Sequence, residues 1–324
     1  MKICVYGAGA VGGYVAAQLA RAGHRVAVIA RGPHLAALQR GGLTLEMAGE
    51  RHRIEVEAVD SPEAAGPQDL VVLAVKAPAI AAIAGRLRPL LGPKTQIMAA
   101  MNGIPWWFFA GFDGPWRGRV LESVDPGGTI GRAIPLERLI GAVIYMATDV
   151  PEPGLIRHSI GGRLVIGEPK GGSSPRLEEL GKSLSVPGLE VKTTAHVWTE
   201  VFLKLAGNVS SNTVSALTHG TAAEMYDHPG VREVLLAVTS ETYAVAESLG
   251  ITLGMSPEKR IETGARLGAF KSSMLQDVEQ GRPMEVEAIM GAVKEMALMT
   301  GVATPTLDVV LALLSLRDRT LRRG

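Results

Sequence analysis

Cysteine is almost absent: Cys4 is the only one in 324 residues. A single thiol builds neither a disulfide framework nor a thiolate metal cluster, so a reducing, cytoplasmic setting is expected. An excess of either charge is also missing. The 33 basic and 32 acidic residues leave a net charge of +1, which excludes the strongly basic surface that a nucleic acid would require. No apolar run reaches the roughly 20 residues of a membrane span; the uncharged stretch 95–112 is broken by Asn102-Gly103 and Pro105. Residues 1–20 place a lysine before an apolar run, but their regularly spaced glycines explain that composition better than a secretory leader does. The seven histidines include no i,i+4 pair and join no acidic cluster of metal-ligand spacing, so no metal is expected. A G-x-S-x-G elbow is missing, which argues against an α/β-hydrolase.

Aromatic residues make up only 4% of the chain. Six of its nine Trp and Phe crowd into one segment, as Trp106, Trp107, Phe108, Phe109, Phe112 and Trp116. Such a cluster reads first as a satellite core or a subunit interface, which leaves a homodimer open.

What is present begins at residue 3. An apolar strand, Ile3-Cys4-Val5-Tyr6, leads into Gly7-Ala8-Gly9-Ala10-Val11-Gly12, then an alanine-rich helix, then a second strand, Val26 to Ile29. G-x-G-x-x-G is weak alone, but here it follows a strand and opens a helix inside a βαβ unit, the context a dinucleotide site needs. Gly7 permits the tight turn, Gly9 lets a pyrophosphate approach the backbone, and Gly12 allows helix and strand to pack closely. The diphosphate would then sit on the helix N-terminus. An NAD-preferring site places an acid about 20 residues on, for the ribose 2′-hydroxyl. No Asp or Glu stands between Gly12 and Glu46; the second strand instead ends near Arg31. A guanidinium there suits a 2′-phosphate, so NADPH is the expected cofactor.

With 47% apolar residues the chain is long enough for two domains. A hairpin is expected from Leu43/Leu45/Met47 and Ile54/Val56/Ala58, then a strand Leu70 to Val75, a helix over 78–91 and a strand Gln96 to Met101. Alternating strands and helices predict an α/β, Rossmann-type, doubly wound parallel sheet with its ligand outside the strands' carboxyl ends. A strand-rich stretch follows: Leu139 to Met146, Leu155 to His158, Arg163 to Ile166 and Leu189 to Lys192. Beyond His196 only helices are expected, over about 197–218, 229–249, 256–280, 284–300 and 305–318. The boundary is therefore set near residue 195, giving a cofactor-binding domain over 1–195 and an all-helical substrate domain over 196–324. His158 is expected to hydrogen-bond structurally.

In the first of those helices Lys204, Asn208 and Asn212 recur every fourth residue and so share a face. One ammonium and two amides could receive a small carboxylate with a carbonyl to reduce; an ordinary hydrated face is the alternative.

These pieces resemble the ketopantoate reductase family over nearly the full length. The likeness rests on Gly7 to Gly13, Arg31, Val75-Lys76-Ala77, Asn102-Gly103, Glu152-Pro153-Gly154 with Arg157-His158, Lys204 to Asn212, and Ser272-Ser273-Met274-Leu275-Gln276-Asp277 followed by Glu285. It implies Lys204 as general acid with Glu285 beside it in catalysis. Substrate contacts are implied for Asn102, Lys204, Asn208, Asn212 and Ser273. Cofactor contacts are implied for Gly7, Ala8, Gly9, Ala10, Val11, Gly12, Arg31, Lys76, Asn102, Ala147 and Glu285. Ala222 stands where some members carry a polar Asn. The implied activity is NADPH-dependent reduction of a small 2-oxo acid, ketopantoate in the leading case; another 2-oxo acid, or a non-catalytic NADPH sensor, are the alternatives.

Overall fold

The structure is a computed structural model that describes residues 1–266 and 268–323. Its packing divides the chain into two compact units. Met1–Met101, Trp106–Val120 and Gly127–Val197 form the first; Asn102–Pro105, Leu121–Pro126 and Trp198–Gly324 form the second.

Ten strands make up the sheet of the first unit: β1 (Lys2–Tyr6), β2 (Arg25–Ile29), β3 (Leu43–Met47), β4 (Glu50–Ile54), β5 (Glu57–Val59), β6 (Gln68–Leu73), β7 (Leu91–Ala100), β8 (Leu139–Glu152), β9 (Leu155–Gly167) and β10 (Glu190–Thr194). Their order is β4-β3-β9-β8-β7-β6-β1-β2-β5, with β10 on β9. The pairs from β8 through β5 are parallel, whereas β3 with β4 and β8 with β9 are antiparallel. Helices α1 (Ala10–Arg21), α2 (Gly32–Gly41), α3 (Pro62–Ala65), α4 (Ala77–Ala84), α5 (Thr129–Ala133) and α6 (Pro175–Leu184) accompany the strands. Ile3, Val5, Val28, Leu70, Val72 and Met98 are buried and join Leu19 of α1 and Leu177 of α6 in one core.

Three expectations change. The helix expected over 78–91 stops at Ala84, and β7 has already begun at Leu91. The hairpin partner of Leu43–Met47 is Glu50–Ile54, while Glu57–Val59 crosses to pair with β2. Alternation carried through Ile54, Val56 and Ala58 hides that change of partner, because both strands are short and half-buried. Leu155–His158 and Arg163–Ile166 are one strand, not two. Gly161 and Gly162 adopt φ of +83° and +135° within it, and a Cβ on Gly161 would stand 2.4 Å from the Tyr145 carbonyl oxygen. The pair bulges there instead of ending.

In the second unit the helices are α7 (Val197–Gly207), α8 (Thr213–Thr218), α9 (Ala222–Asp227), α10 (Pro229–Ser248), α11 (Pro257–Ala265), α12 (Ser273–Glu279), α13 (Ala292–Thr300) and α14 (Pro305–Leu321). The expected 256–280 helix is thus two, each started by a serine cap: Ser256 Oγ accepts from Lys259 N and Ser272 Oγ from Leu275 N. The short α9 was not expected from periodicity; it carries a capping box between Thr221 and Glu224. Wide π turns occupy Asn208–Asn212 and Glu287–Gly291, and the two turns lie against each other. Such turns are rare and often mark working sites. Hydroxyls of Ser210 and Thr213 donate to the carbonyls of Ala206 and Val209, at 2.8 and 2.5 Å.

Two short segments join this unit through backbone contacts. Ile104 N donates to the Ala288 carbonyl at 2.7 Å. The Glu295 carboxylate accepts from Glu122 N and Ser123 N, both at 2.9 Å. The aromatic segment belongs to the first unit instead. Trp106, Trp107, Phe108, Phe109 and Phe112 are buried there, with Gly141 making room for the Trp107 ring. These five rings are buried core rather than an exposed interface patch.

Candidate active site

The first unit holds the glycine turn. It follows β1 at the point where the strand order reverses, with β2 on one side and β6 on the other, the usual ligand crevice of such sheets. Each glycine has its own geometry. Gly7 has φ +103°, and a Cβ there would meet Val75 Cγ1 at 2.7 Å, so the turn after β1 lies directly against the end of β6. A Cβ on Gly12 would stand 2.0 Å from the Gly7 carbonyl oxygen. At Gly9 a Cβ would meet nothing within 4 Å. The backbone is thus open at the N-cap of α1, whose first turn carries no acidic residue. A diphosphate fits that opening, because the first-turn N–H groups lack partners within the helix.

Ala8 is buried in the turn, and Ala10 and Val11 open α1, half-buried. Arg31 is exposed at the N-cap of α2, again with no acid in the first turn. Lys76 is the exposed N-cap of α4, and Ala147 sits half-buried in β8 opposite Ile160.

Sequence reasoning overlooked His34 in α2. Gly154 N donates to His34 Nδ1 at 3.1 Å, and Nε2 lies 2.7 Å from the Ala8 carbonyl. With Nδ1 accepting, the ring must carry its proton on Nε2 and donate to Ala8. One imidazole therefore ties the glycine turn to the Glu152-Pro153-Gly154 hairpin. His158 stacks on Tyr14 at 4.8 Å and lies 2.9 Å from the Gly161 carbonyl through Nε2, as a structural residue would. The Cys4 thiol is pushed up to about 12 by burial first and the Glu57 charge second, which leaves it an inert core group.

The second unit brings the other candidates onto neighbouring elements. Lys204 is on α7, Asn208 and Asn212 open and close the π turn that continues it, and Ser273 begins α12, exposed beside the buried Ser272. Ser272 Oγ lies 2.5 Å from Ser215 Oγ, which fastens α12 to α8. Glu285 is buried ahead of the second π turn. The loop before it is held by Met284 N donating to Asp318 at 2.8 Å and by an Arg282–Asp277 pair at 3.0 Å. Asn102 follows β7 and packs with this unit beside Gly103, where a Cβ would overlap the Ala288 carbonyl at 2.3 Å. Ala222 is buried, its N–H donating to Phe270 O at 2.9 Å.

Burial, and then the positive charge of Arg260, lower the Lys204 amine to about 8. Both disfavour the charged form. The result is an amine poised close to neutral pH, where a proton donor works best. Arg260 itself was missed, although α11 signals it: Pro257, Arg260, Ile261 and Gly264 form the less exposed stripe of that helix, so an arginine occupies a position where an apolar residue is the norm.

Two family models match the chain: Ketopantoate reductase PanE/ApbA over residues 3–171 and Ketopantoate reductase PanE/ApbA C terminal over 196–318. Among similar proteins, the 2-dehydropantoate 2-reductase of Mesorhizobium japonicum is 43% identical, covering 100% of this chain and 99% of its own. That of Halobacterium salinarum is 28% identical over 98% and 99%. A crystal structure from Ralstonia solanacearum MolK2, assigned as a ketopantoate reductase, superposes with a TM-score of 0.93 at 42% identity, covering 99% and 98%. D-mandelate dehydrogenase with NADH and anilino(oxo)acetate shares the fold, with a TM-score of 0.86 at 21% identity over 99% and 100%.

Proposed function

Because the chain belongs to the ketopantoate reductase family, we propose that it reduces the 2-oxo group of 2-dehydropantoate, ketopantoate, to the alcohol of pantoate with NADPH. The observation that carries this reading is Lys204, an amine brought to about 8 by burial and Arg260 and followed on its own helix by two carboxamides. Hydride reaching the ketone carbon builds negative charge on the ketone oxygen. The Lys204 ammonium stabilises that charge and then supplies the proton. Asn208, Asn212, Asn102 and Ser273 donate to the substrate without adding charge, and Glu285 accepts from a hydroxyl.

The cofactor supplies the hydride from C4 of its nicotinamide. Gly7 to Gly12 would receive its diphosphate and Arg31 its 2′-phosphate, with Lys76 and Ala147 as further contacts. A reducing cytoplasm suits a chain whose lone thiol is buried.

The test is NADPH oxidation, followed by absorbance, with ketopantoate and a panel of 2-oxo acids. Turnover of ketopantoate is expected; binding of NADPH with no turnover on any acid would instead favour a sensor. Cofactor choice has its own test. Arg31→Ala should weaken NADPH binding by about 1.5 to 3 kcal/mol, the range of a charge-assisted hydrogen bond, while leaving NADH binding nearly unchanged. Equal losses for both cofactors would remove the 2′-phosphate role.

A further inference from the structure

Three buried polar atoms on neighbouring elements of the second unit lack a hydrogen-bond partner: Asn208 Nδ2 on the first π turn, Tyr243 Oη on α10 and Arg260 Nε on α11. Asn208 and Tyr243 are each only 5% exposed. A buried donor left unsatisfied costs about 1–3 kcal/mol, so three on packed elements mark a place where an added acceptor would be favourable. They sit on elements that pack together, α10 against both α11 and the π turn. The Arg260 guanidinium occupies the space that a side chain at position 207 would take, with Nη2 only 1.9 Å from a Cβ built on Gly207. Asn208 is the next residue. The Arg260 charge also acts on both Lys204 and Tyr243.

All of these groups can donate, and none carries negative charge. Among the described residues no carboxylate pairs with Arg260. A guanidinium is the side chain best matched to a carboxylate, which it binds through two parallel N–H bonds. We propose that Arg260, assisted by Tyr243 and Asn208, receives the carboxylate of the 2-oxo acid and thereby holds the adjacent ketone at Lys204. The assignment rests on the reductase reading above and adds to it a specificity-determining residue. It also gives Gly207 a purpose: absence of a side chain there admits the guanidinium beside the substrate helix.

The experiment compares ketopantoate with its neutral lactone as substrates, in the wild type, Arg260→Gln, Arg260→Lys and Gly207→Ala. The wild type should strongly prefer the acid. In Arg260→Gln, kcat/KM for ketopantoate should fall about 10² to 10³-fold, chiefly through KM, as when one member of a desolvated charge pair is removed, with the lactone changed about threefold or less at about pH 6.5, where Lys204 is protonated with or without the Arg260 charge. Arg260→Lys keeps the charge without the fork and should recover part of the loss. Gly207→Ala retains the guanidinium but displaces it, and should show the same selective loss even if Arg260→Gln does not fold. A wild type that reduces acid and lactone equally well, or variants that lose both in proportion, would overturn the proposal while leaving the reductase reading intact. Calorimetry with ketopantoate separates the converse. Binding in the wild type that is lost in Arg260→Gln, without turnover of any 2-oxo acid, would support the carboxylate site and defeat the reductase reading.

Discussion

Replacing Lys204 by alanine should lower kcat with ketopantoate by about 10² to 10⁴, the range for loss of a general acid or an oxyanion donor, with the dissociation constant for NADPH unchanged. Lys204→Arg separates the two tasks of the amine. An arginine holds its charge but does not release its proton in this range, so substrate should still bind while turnover stays low. The pH profile follows from the same amine. In the proposed mechanism its protonated form is the active one, and burial followed by the Arg260 charge brings it to about 8. The fraction of ammonium therefore falls as pH rises through that value, and kcat/KM should be level below it and decline about tenfold per unit above it. Stopped assays from pH 6 to 10 would read the limb. A Lys204→Ala enzyme of undiminished kcat, or a limb that persists in it, would remove Lys204 from the reaction.

Gly9→Val should bind NADPH about 10² to 10⁴ less tightly yet melt, without cofactor, within a few degrees of the wild type. The backbone at Gly9, φ −68° and ψ −163°, is extended and open to any residue, and a Cβ there meets nothing within 4 Å. Free protein loses only the N-cap preference for glycine over valine, about 1 kcal/mol. A diphosphate at the N-terminus of α1 loses more, because a branched side chain displaces it from about two charge-assisted bonds worth about 1.5–3 kcal/mol each. Gly12→Ala is the contrasting case. Its Cβ would sit 2.0 Å from the Gly7 carbonyl oxygen and 2.9 Å from Ala74 Cβ, so α1 must move off the sheet. The melting temperature should fall with or without cofactor, reflecting a stability loss of about 1–3 kcal/mol or more, as in an overpacked core. Tight NADPH binding by Gly9→Val, measured by fluorescence titration, would place the diphosphate elsewhere.

The contrast between these glycines shows how far the chain can be read before it is folded. The strand-turn-helix context of Gly7 to Gly12 is contiguous, and its consequences are local: a tight turn, an open N-cap, a close helix. Lys204, Asn208 and Asn212 could be grouped for a similar reason, since a four-residue spacing keeps side chains on one side of a helix, but only the family resemblance pointed to a substrate role. The same spacing could not reveal that Asn208–Asn212 is a π turn, because residues four apart stay roughly in phase in both geometries. Periodicity also misled where strands change partners, joining Glu57–Val59 to a hairpin it does not enter.

Sequence alone, then, determined the α/β character, the glycine turn followed by a basic rather than acidic end to the second strand, and the helix that carries the lysine. Each depends on residues within a turn or two of one another, where backbone geometry and side-chain spacing leave little choice. Tertiary structure decided the rest: His34 bridging Ala8 and Gly154, Asn102 packing beside Ala288, and Arg260 filling the space left by Gly207. Those positions are far apart along the chain and meet only after burial of apolar surface has chosen which helix and strand faces touch, and no local pattern encodes that choice.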